Sequence, residues 1–251
     1  MPIGFTNIGT YGRLGNQMFQ YAALRGIANQ KRYKWILRNQ DSELFKCFEM
    51  KEARASIGQF NFSSVFHPSE NMTNIFDQSI YEHCEDNTDL FGYFQSPKYF
   101  RDIESTIRKE FTFIQKDNPF KIKRYLSLHV RRGDYLKIER FLPTQTTEYY
   151  QNALKYFDPK MPVIVCSDDI NWCKENEFFQ KERFIFSTNN TYDDMLTMSQ
   201  ASGNIISNSS YSWWGAYLSR NKDVVIPKNW FGPKRPHHSA IEYLQDGWKI
   251  C

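Results

Sequence analysis

Leu126-Ser-Leu-His-Val-Arg-Arg-Gly-Asp-Tyr135 is the stretch whose reading decides the rest of the chain. Leu126, Leu128 and Val130 suit a buried strand, and Gly133 breaks the run. His129, Arg131, Arg132 and Asp134 crowd the point where such a strand surfaces. In open α/β sheets, ligands bind outside the carboxyl ends of the strands. Two guanidiniums there suit a diphosphate, because arginine offers planar paired donors and keeps its charge. The plain alternative is an arginine pair with Asp134 as its local partner, since structural ion-pair networks cluster the same way.

Downstream the pattern alternates. Strand-like runs fall at 124–130, 162–166, 183–186, 204–207 and 223–227, and helical patterns lie at 147–157, 168–179, 192–202 and 210–219. That βαβα order predicts a parallel sheet covered by helices. Polar residues follow three of these strands. Ser167-Asp168-Asp169 could offer carboxylates to ribose hydroxyls or to a base edge, but serine followed by two aspartates also opens a helix well. Thr191-Tyr-Asp-Asp194 is equally double-sided, because Thr191 with Asp194 three residues on is a capping box. Ser207-Asn208-Ser209-Ser210 opens a helix directly after a strand, which makes a site for a phosphate-sized anion. One cap needs only one of those hydroxyls, so the serines read as ligand contacts. Trp213, Trp214, Tyr217 and Leu218 follow at core spacing.

Upstream, Gly9, Gly12 and Gly15 give a loop in which backbone can approach a ligand, and a helix is expected from Asn16. Asn16 would sit at the helix N-terminus, either beside an anion or as a cap. A short strand is expected at 33–37, helix-like segments in 41–59, loops with short strands over 61–89, and a strand followed by a Ser96-Pro97 turn and a helix over 91–111. The aromatics of 91–100 read as core. Asp117-Asn-Pro119 is the best boundary signal.

The 251 residues suffice for two modest domains, and 41% hydrophobic with 17% aromatic content excludes a disordered chain. A net charge of +4, evenly spread, excludes a nucleic-acid binder of the basic-stripe type. There is no apolar run of about 18 residues and no secretory leader pattern, so no transmembrane segment is expected. Five cysteines without Cys-x-x-Cys or metal spacing point to reduced thiols in a cytoplasm. The Asn61-Phe-Ser and Asn71-Met-Thr triplets read as accidents of composition, and His237-His238 as a solvated turn. There is no Asp-x-Asp, no Walker loop and no complete dinucleotide fingerprint. No metal is expected, and Arg131, Arg132 and helix N-termini would carry the charge a cation carries elsewhere.

Five segments together resemble a known family: Gly12-Arg-Leu-Gly-Asn-Gln-Met-Phe-Gln-Tyr-Ala22, His129-Val-Arg-Arg-Gly-Asp-Tyr135, Ser167-Asp-Asp169, Asn208-Ser-Ser-Tyr-Ser-Trp-Trp-Gly215 and Pro227-Lys-Asn-Trp-Phe231. In that order they look like the α-1,2-fucosyltransferases of glycosyltransferase family 11. The resemblance implies an α/β protein of two Rossmann-like domains, glycosyltransferase-B type. Residues 1–118 would form the acceptor-side domain and 119–251 the GDP-fucose-binding domain, with the last helix free to return to the first. It implies inverting, metal-independent transfer of L-fucose from GDP-β-L-fucose to the 2-hydroxyl of a terminal galactose, with no cofactor.

By the same resemblance Arg131 contacts the diphosphate, and His129 lies near guanosine or diphosphate with Arg132 and Asp134 in support. Ser209 and Ser210, beside Asn208, contact phosphate. Asp194 falls where relatives place an aspartate on guanine, and Asn16 lies beside the reaction centre. Asp168 and Asp169 complete the expected donor set, and Asp134 is the one candidate base, by proximity alone. The loop reads Tyr11-Gly-Arg-Leu-Gly where family members often have Gly-Gly-Leu-Gly, which bears on the acceptor. The alternatives are fucosyl transfer to another sugar or to a protein, or a non-catalytic GDP-sugar or glycan-binding module. The expected setting is a bacterial or viral cytoplasm, with a surface glycan or its lipid-linked precursor as acceptor.

Overall fold

The structure is a computed structural model that describes residues 1–38, 41–68 and 74–251. The Asn71-Met-Thr triplet lies outside them. Contacts divide the chain into two units, Met1–Ile114 and Gln115–Cys251.

In the first unit, β1 (Pro2–Phe5), β2 (Lys34–Leu37), β3 (Ser64–Phe66) and β4 (Thr88–Leu90) form a parallel sheet in the order β2-β1-β4-β3. Pro2 and Gly4 disfavour strand locally, so β1 carries no propensity signal. Gly4 is needed there for packing, since a Cβ would come within 2.2 Å of the Phe62 ring. Helix α1 (Leu14–Lys31) follows, its Ala22-Ala23-Leu24 centre being good helix former. It is buried nearly all round, the mark of a core helix. It stops at Arg32, whose left-handed backbone (φ 56°) lets its N–H reach the Ala28 and Asn29 carbonyls. Gly26 meets the segment Pro97–Ile103 so closely that a Cβ would lie 1.9 Å from the Tyr99 carbonyl oxygen.

Three expectations for this unit are adjusted. The helix starts at Leu14, two residues before Asn16. The helical segment near 41–59 is two short pieces, α2 (Glu43–Cys47) and α3 (Lys51–Ala55), separated by left-handed Met50 (φ 47°). The strand expected in 91–95 lies earlier, at β4, because Gly92 (φ 155°) and Phe94 (φ 48°) leave the β region. Helices α4 (Ile80–His83) and α5 (Glu104–Glu110) complete the unit.

The second unit holds β5 (Leu126–Val130), α6 (Thr147–Leu154), β6 (Val163–Ser167), α7 (Ile170–Glu175), β7 (Phe184–Phe186), α8 (Thr191–Gln200), β8 (Gly203–Ile205), α9 (Ser210–Leu218), β9 (Val224–Ile226) and β10 (Lys249–Ile250). Its strands are all parallel, ordered β10-β9-β8-β5-β6-β7. The direction of winding reverses between β5 and β8, so the crevice beyond their carboxyl ends is the switch point where doubly wound sheets take ligands. Every residue of β5 is buried, as expected of a central parallel strand covered on both faces. Leu126, Leu128 and Val130 share a core with Val163, Val165 and the α6 residues Tyr149, Tyr150 and Ala153. Truncating Leu126 or Leu128 to alanine would cost about 2–5 kcal/mol. Trp213 and Trp214 are fully buried, and the Trp213 indole donates to the Tyr243 carbonyl at 2.7 Å. After a final helical turn (Ala240–Tyr243) the chain adds β10 beside β9, so this end belongs to the second sheet.

Candidate active site

β5 delivers its polar residues to the switch point. The chain leaves the strand at Arg131 and turns through Gly133–Lys137. One guanidinium nitrogen of Arg131, Nη2, bonds Asp134, and Nη1 lies 3.0 Å from Asp168 Oδ2. Its Nε is buried without a hydrogen-bond partner, and the Tyr135 ring lies 5.1 Å away. Arg132 pairs through Nε with Asp169 Oδ2 at 3.2 Å and stacks 4.0 Å from the Trp172 ring. The Arg132 backbone N–H donates to Asp168 Oδ1 at 2.9 Å. Gly133 leaves room for this arrangement, since a Cβ would stand 2.3 Å from Asp168 Oδ2.

Asp169 is the N-cap of α7, accepting from the Trp172 N–H at 3.3 Å, so the helix-start reading applies to it. Asp168 does no capping and instead ties β6 to the arginines. Three carboxylates therefore face two guanidiniums. A diphosphate placed here would have to take over some of those contacts, and the orphaned Arg131 Nε–H is one donor already without a partner.

The neighbouring strand end supplies hydroxyls. His129 is 4% exposed and its Nδ1 lies 2.8 Å from Ser207 Oγ. Burial, then the Arg131 charge, pushes the imidazole down to about 3, so it is neutral at any working pH. Ser209 occupies the N-cap position of α9 yet makes no side-chain capping bond. Its hydroxyl bonds the Tyr135 phenol, which in turn donates to the Asn208 carbonyl at 3.0 Å. Burial pushes that phenol up to about 12. Asn208 donates to the Pro143 and Trp230 carbonyls at 3.0 and 2.9 Å, which pins the loop, while its Oδ1 is buried without a partner. Ser210 begins α9, and the Tyr211 ring packs 5.4 Å from His129.

Asp194 is placed differently from the capping-box reading. The N-cap of α8 is Asn190, accepting from the N–H groups of Tyr192 and Asp193, with Asp193 as its side-chain partner at 2.8 Å. Moving the cap back one residue turns Asp194 inward, where its carboxylate accepts from the Ser187 hydroxyl and the Cys166 thiol. Burial raises it to about 6. Cys166 pairs in register with His129 across β5 and β6, so Asp194 belongs to the same end of the sheet.

In the first unit, Asn16 sits within the first turn of α1 and does not cap it; Arg13 holds the cap position. The Asn16 Oδ1 accepts from Gln95 Nε2 at 2.6 Å, and Gln95 Oε1 accepts from Asn74 Nδ2 at 2.7 Å. Gly12 (φ 76°) lies against it, a Cβ there falling 2.7 Å from Asn16 Cβ.

Within the second unit the structure gathers His129, Arg131, Arg132, Asp134, Asp168, Asp169, Asp194, Asn208, Ser209 and Ser210 beyond the carboxyl ends of β5, β6, β7 and β8. Sequence reasoning gave no individual part to Ser207, Ser187, Cys166 or Tyr211; Ser207 and Ser187 lie just past strands, Cys166 is the last residue but one of β6, and Tyr211 sits in the first turn of α9. Among the described residues no group of three or more His, Cys, Asp or Glu side chains is placed to hold a metal ion, and no helix is long and apolar enough to cross a membrane. His238 is less solvated than a turn suggests, its ring packing 4.9 Å from Phe231.

A doubly wound parallel sheet with an arginine cluster and a hydroxyl-rich helix start at its switch point defines an open α/β protein whose polar residues converge where such sheets take ligands. The model of the family described as glycosyl transferase family 11 matches residues 3–249, and the chain belongs to that family; it is a glycosyltransferase. It is 28% identical to an alpha-1,2-colitosyltransferase of Escherichia coli, over 94% of this chain and 95% of that one. It is 26% identical to the galactoside alpha-(1,2)-fucosyltransferase 2 of Oryctolagus cuniculus, over 95% of this chain and 73% of that one. Among solved structures, the fucosyltransferase NodZ from Bradyrhizobium superposes with a TM-score of 0.55 at 14% identity, covering 86% of this chain and 93% of that one. A NodZ alpha-1,6-fucosyltransferase soaked with GDP-fucose gives 0.55 at 13% identity, over 95% and 97%. At those identities the likeness speaks for the fold, and the expected class of Rossmann-like, glycosyltransferase-B type holds.

Proposed function

We propose that the protein transfers L-fucose from GDP-β-L-fucose to the 2-hydroxyl of a galactose in a glycan, inverting the anomeric centre and using no metal. The observation that carries this is Arg131. Its partly buried guanidinium stands at the switch point with an unpartnered Nε–H, in a chain that matches family 11 almost end to end. The acceptor hydroxyl attacks the anomeric carbon while GDP leaves. Charge grows on the departing diphosphate, so Arg131, Arg132 and the N–H groups opening α9 bind the transition state more tightly than the ground state. In this reading Asp194 receives the guanine N–H edge, Ser209 and Ser210 touch phosphate, and Asn16 serves the acceptor side. Asp134 is the candidate base, held by Arg131. The five cysteines are all free, in keeping with a cytoplasmic setting.

A second reading, transfer of colitose in place of fucose, is favoured by the Escherichia coli relative matched over nearly its whole length. The test is GDP release in EDTA from GDP-fucose and from the nucleotide-activated colitose, across galactose-terminated glycans, for wild type and Arg131→Ala. Acceptor-dependent release that survives EDTA and falls about 100- to 1,000-fold in the variant is expected. Release only with divalent cations, or an Arg131→Ala enzyme as fast as wild type, overturns the reading.

A further inference from the structure

The Ser207–His129 contact is buried at both ends, Ser207 being 0% and His129 4% exposed, and no ligand chemistry is needed to explain it. Its direction matters. A neutral imidazole carries one N–H, and whichever ring nitrogen accepts leaves the other as donor. Ser207 Oγ lies 2.8 Å from His129 Nδ1, and its other polar neighbour in reach, Ser212 Oγ, is at 3.5 Å. The Ser212 hydroxyl has its own acceptors, the Ser207 and Ser209 carbonyls at 3.3 Å each. The best acceptor for the Ser207 proton is therefore Nδ1. If the bond ran the other way, the Ser207 proton would keep only the long contact to Ser212. Nε2 stands on the opposite edge of the ring from Ser207. The ring itself is held by Tyr211 on one side and by the buried β5 backbone.

We propose that Ser207 is a positioning residue that locks His129 in the Nε2–H tautomer, so that a neutral imidazole donates a hydrogen bond into the anion-binding end of the second sheet. The opposite tautomer would turn a lone pair toward the same place and repel an anion. The part about GDP rests on the donor-site reading above; the part about the tautomer does not.

Nitrogen-15 NMR of histidine-labelled full-length protein, without nucleotide, reads the tautomer directly: in wild type the His129 proton is expected on Nε2. GDP titrations and steady-state kinetics with GDP-fucose then compare Ser207→Ala with Ser207→Thr. Alanine is expected to populate the Nδ1–H form and weaken GDP binding about tenfold, with kcat/KM falling at least as far. Threonine, which keeps the hydroxyl, restores both the spectrum and the affinity. A wild-type His129 protonated on Nδ1 overturns the proposal, as does a folded Ser207→Ala that binds GDP like wild type. If wild type shows the Nε2–H form but binds no GDP, the donor-site reading fails and the tautomer assignment stands.

Discussion

Replacing Asp194 with asparagine separates what this carboxylate does for function from what it costs in stability. Burial lifts its pKa from 3.8 to about 6 even though the Ser187 hydroxyl and the Cys166 thiol both donate to it. The folded state therefore holds the proton more tightly than the unfolded chain. Between pH 4 and pH 6 the native protein binds more protons, so stability falls as pH rises through that window and is level above it. Each step of one in pKa is worth about 1.36 kcal/mol, which makes the charged carboxylate about 3 kcal/mol unfavourable at neutral pH, and about 2 kcal/mol after allowing for partial solvent access. The asparagine side chain would keep an oxygen for the Ser187 hydroxyl and carry no charge. Urea unfolding of wild type and Asp194→Asn at pH 4 and pH 7.5 should show the variant about 2 kcal/mol more stable at the higher pH and level with wild type at the lower. GDP affinity should fall in the same variant, because an amide cannot accept two N–H bonds on a guanine edge as a carboxylate can. A variant that is less stable at pH 7.5, or that gains equally at both pH values, would refute the account of Asp194 as a strained, buried acid.

Two other outcomes follow from particular contacts. Asp134→Asn removes one of three carboxylates facing the two arginines, so GDP should bind a few-fold more tightly by calorimetry while turnover falls at least about tenfold; unchanged turnover would take Asp134 out of the chemistry. Gly26→Ala drives a methyl group into the Tyr99 carbonyl and should destabilise the first unit by about 3 kcal/mol, read as a lower urea midpoint; a midpoint within error of wild type would mean α1 does not pack there as described.

The second unit is the more legible half. Five of its six strands are apolar runs that fall within a few residues of where the sequence puts them, and only the two-residue β10 goes unmarked. A fully buried parallel strand needs no partner-specific pattern, so local composition suffices. The first unit hides more. β1 contains a proline and a glycine, the glycine explained only by the contact with Phe62, and the turn at Gly92 and Phe94 depends on positive φ angles that an aromatic-rich run does not announce. At the site, the charged residues beside Gly133 stand out by chemistry alone. What does not stand out is direction: Asn190 and Thr191 are both good caps, and the choice of Asn190 is what turns Asp194 inward. Nor does any local rule say that Ser207, among four neighbouring polar residues, is the one facing His129.

The order of the second sheet also has a kinetic consequence. β5 and β8 pair side by side, Leu126 against Gly203, although the whole β6–α8 region separates them along the chain. Closing so long a loop is slow, because its entropy must be lost before any pairing compensates. The sheet end that carries the arginines is made by that pairing, so it forms late in folding. During synthesis, β5, β6 and β7 emerge first and leave the flank of β5 unpaired until residues 203–205 arrive, a wait of several seconds at about 5–20 residues per second. β9 stays an edge until Lys249 and Ile250 join it. A nascent chain stalled before residue 203 would expose the edge of a strand built for burial, beside its arginines, and that is the species most prone to aggregate.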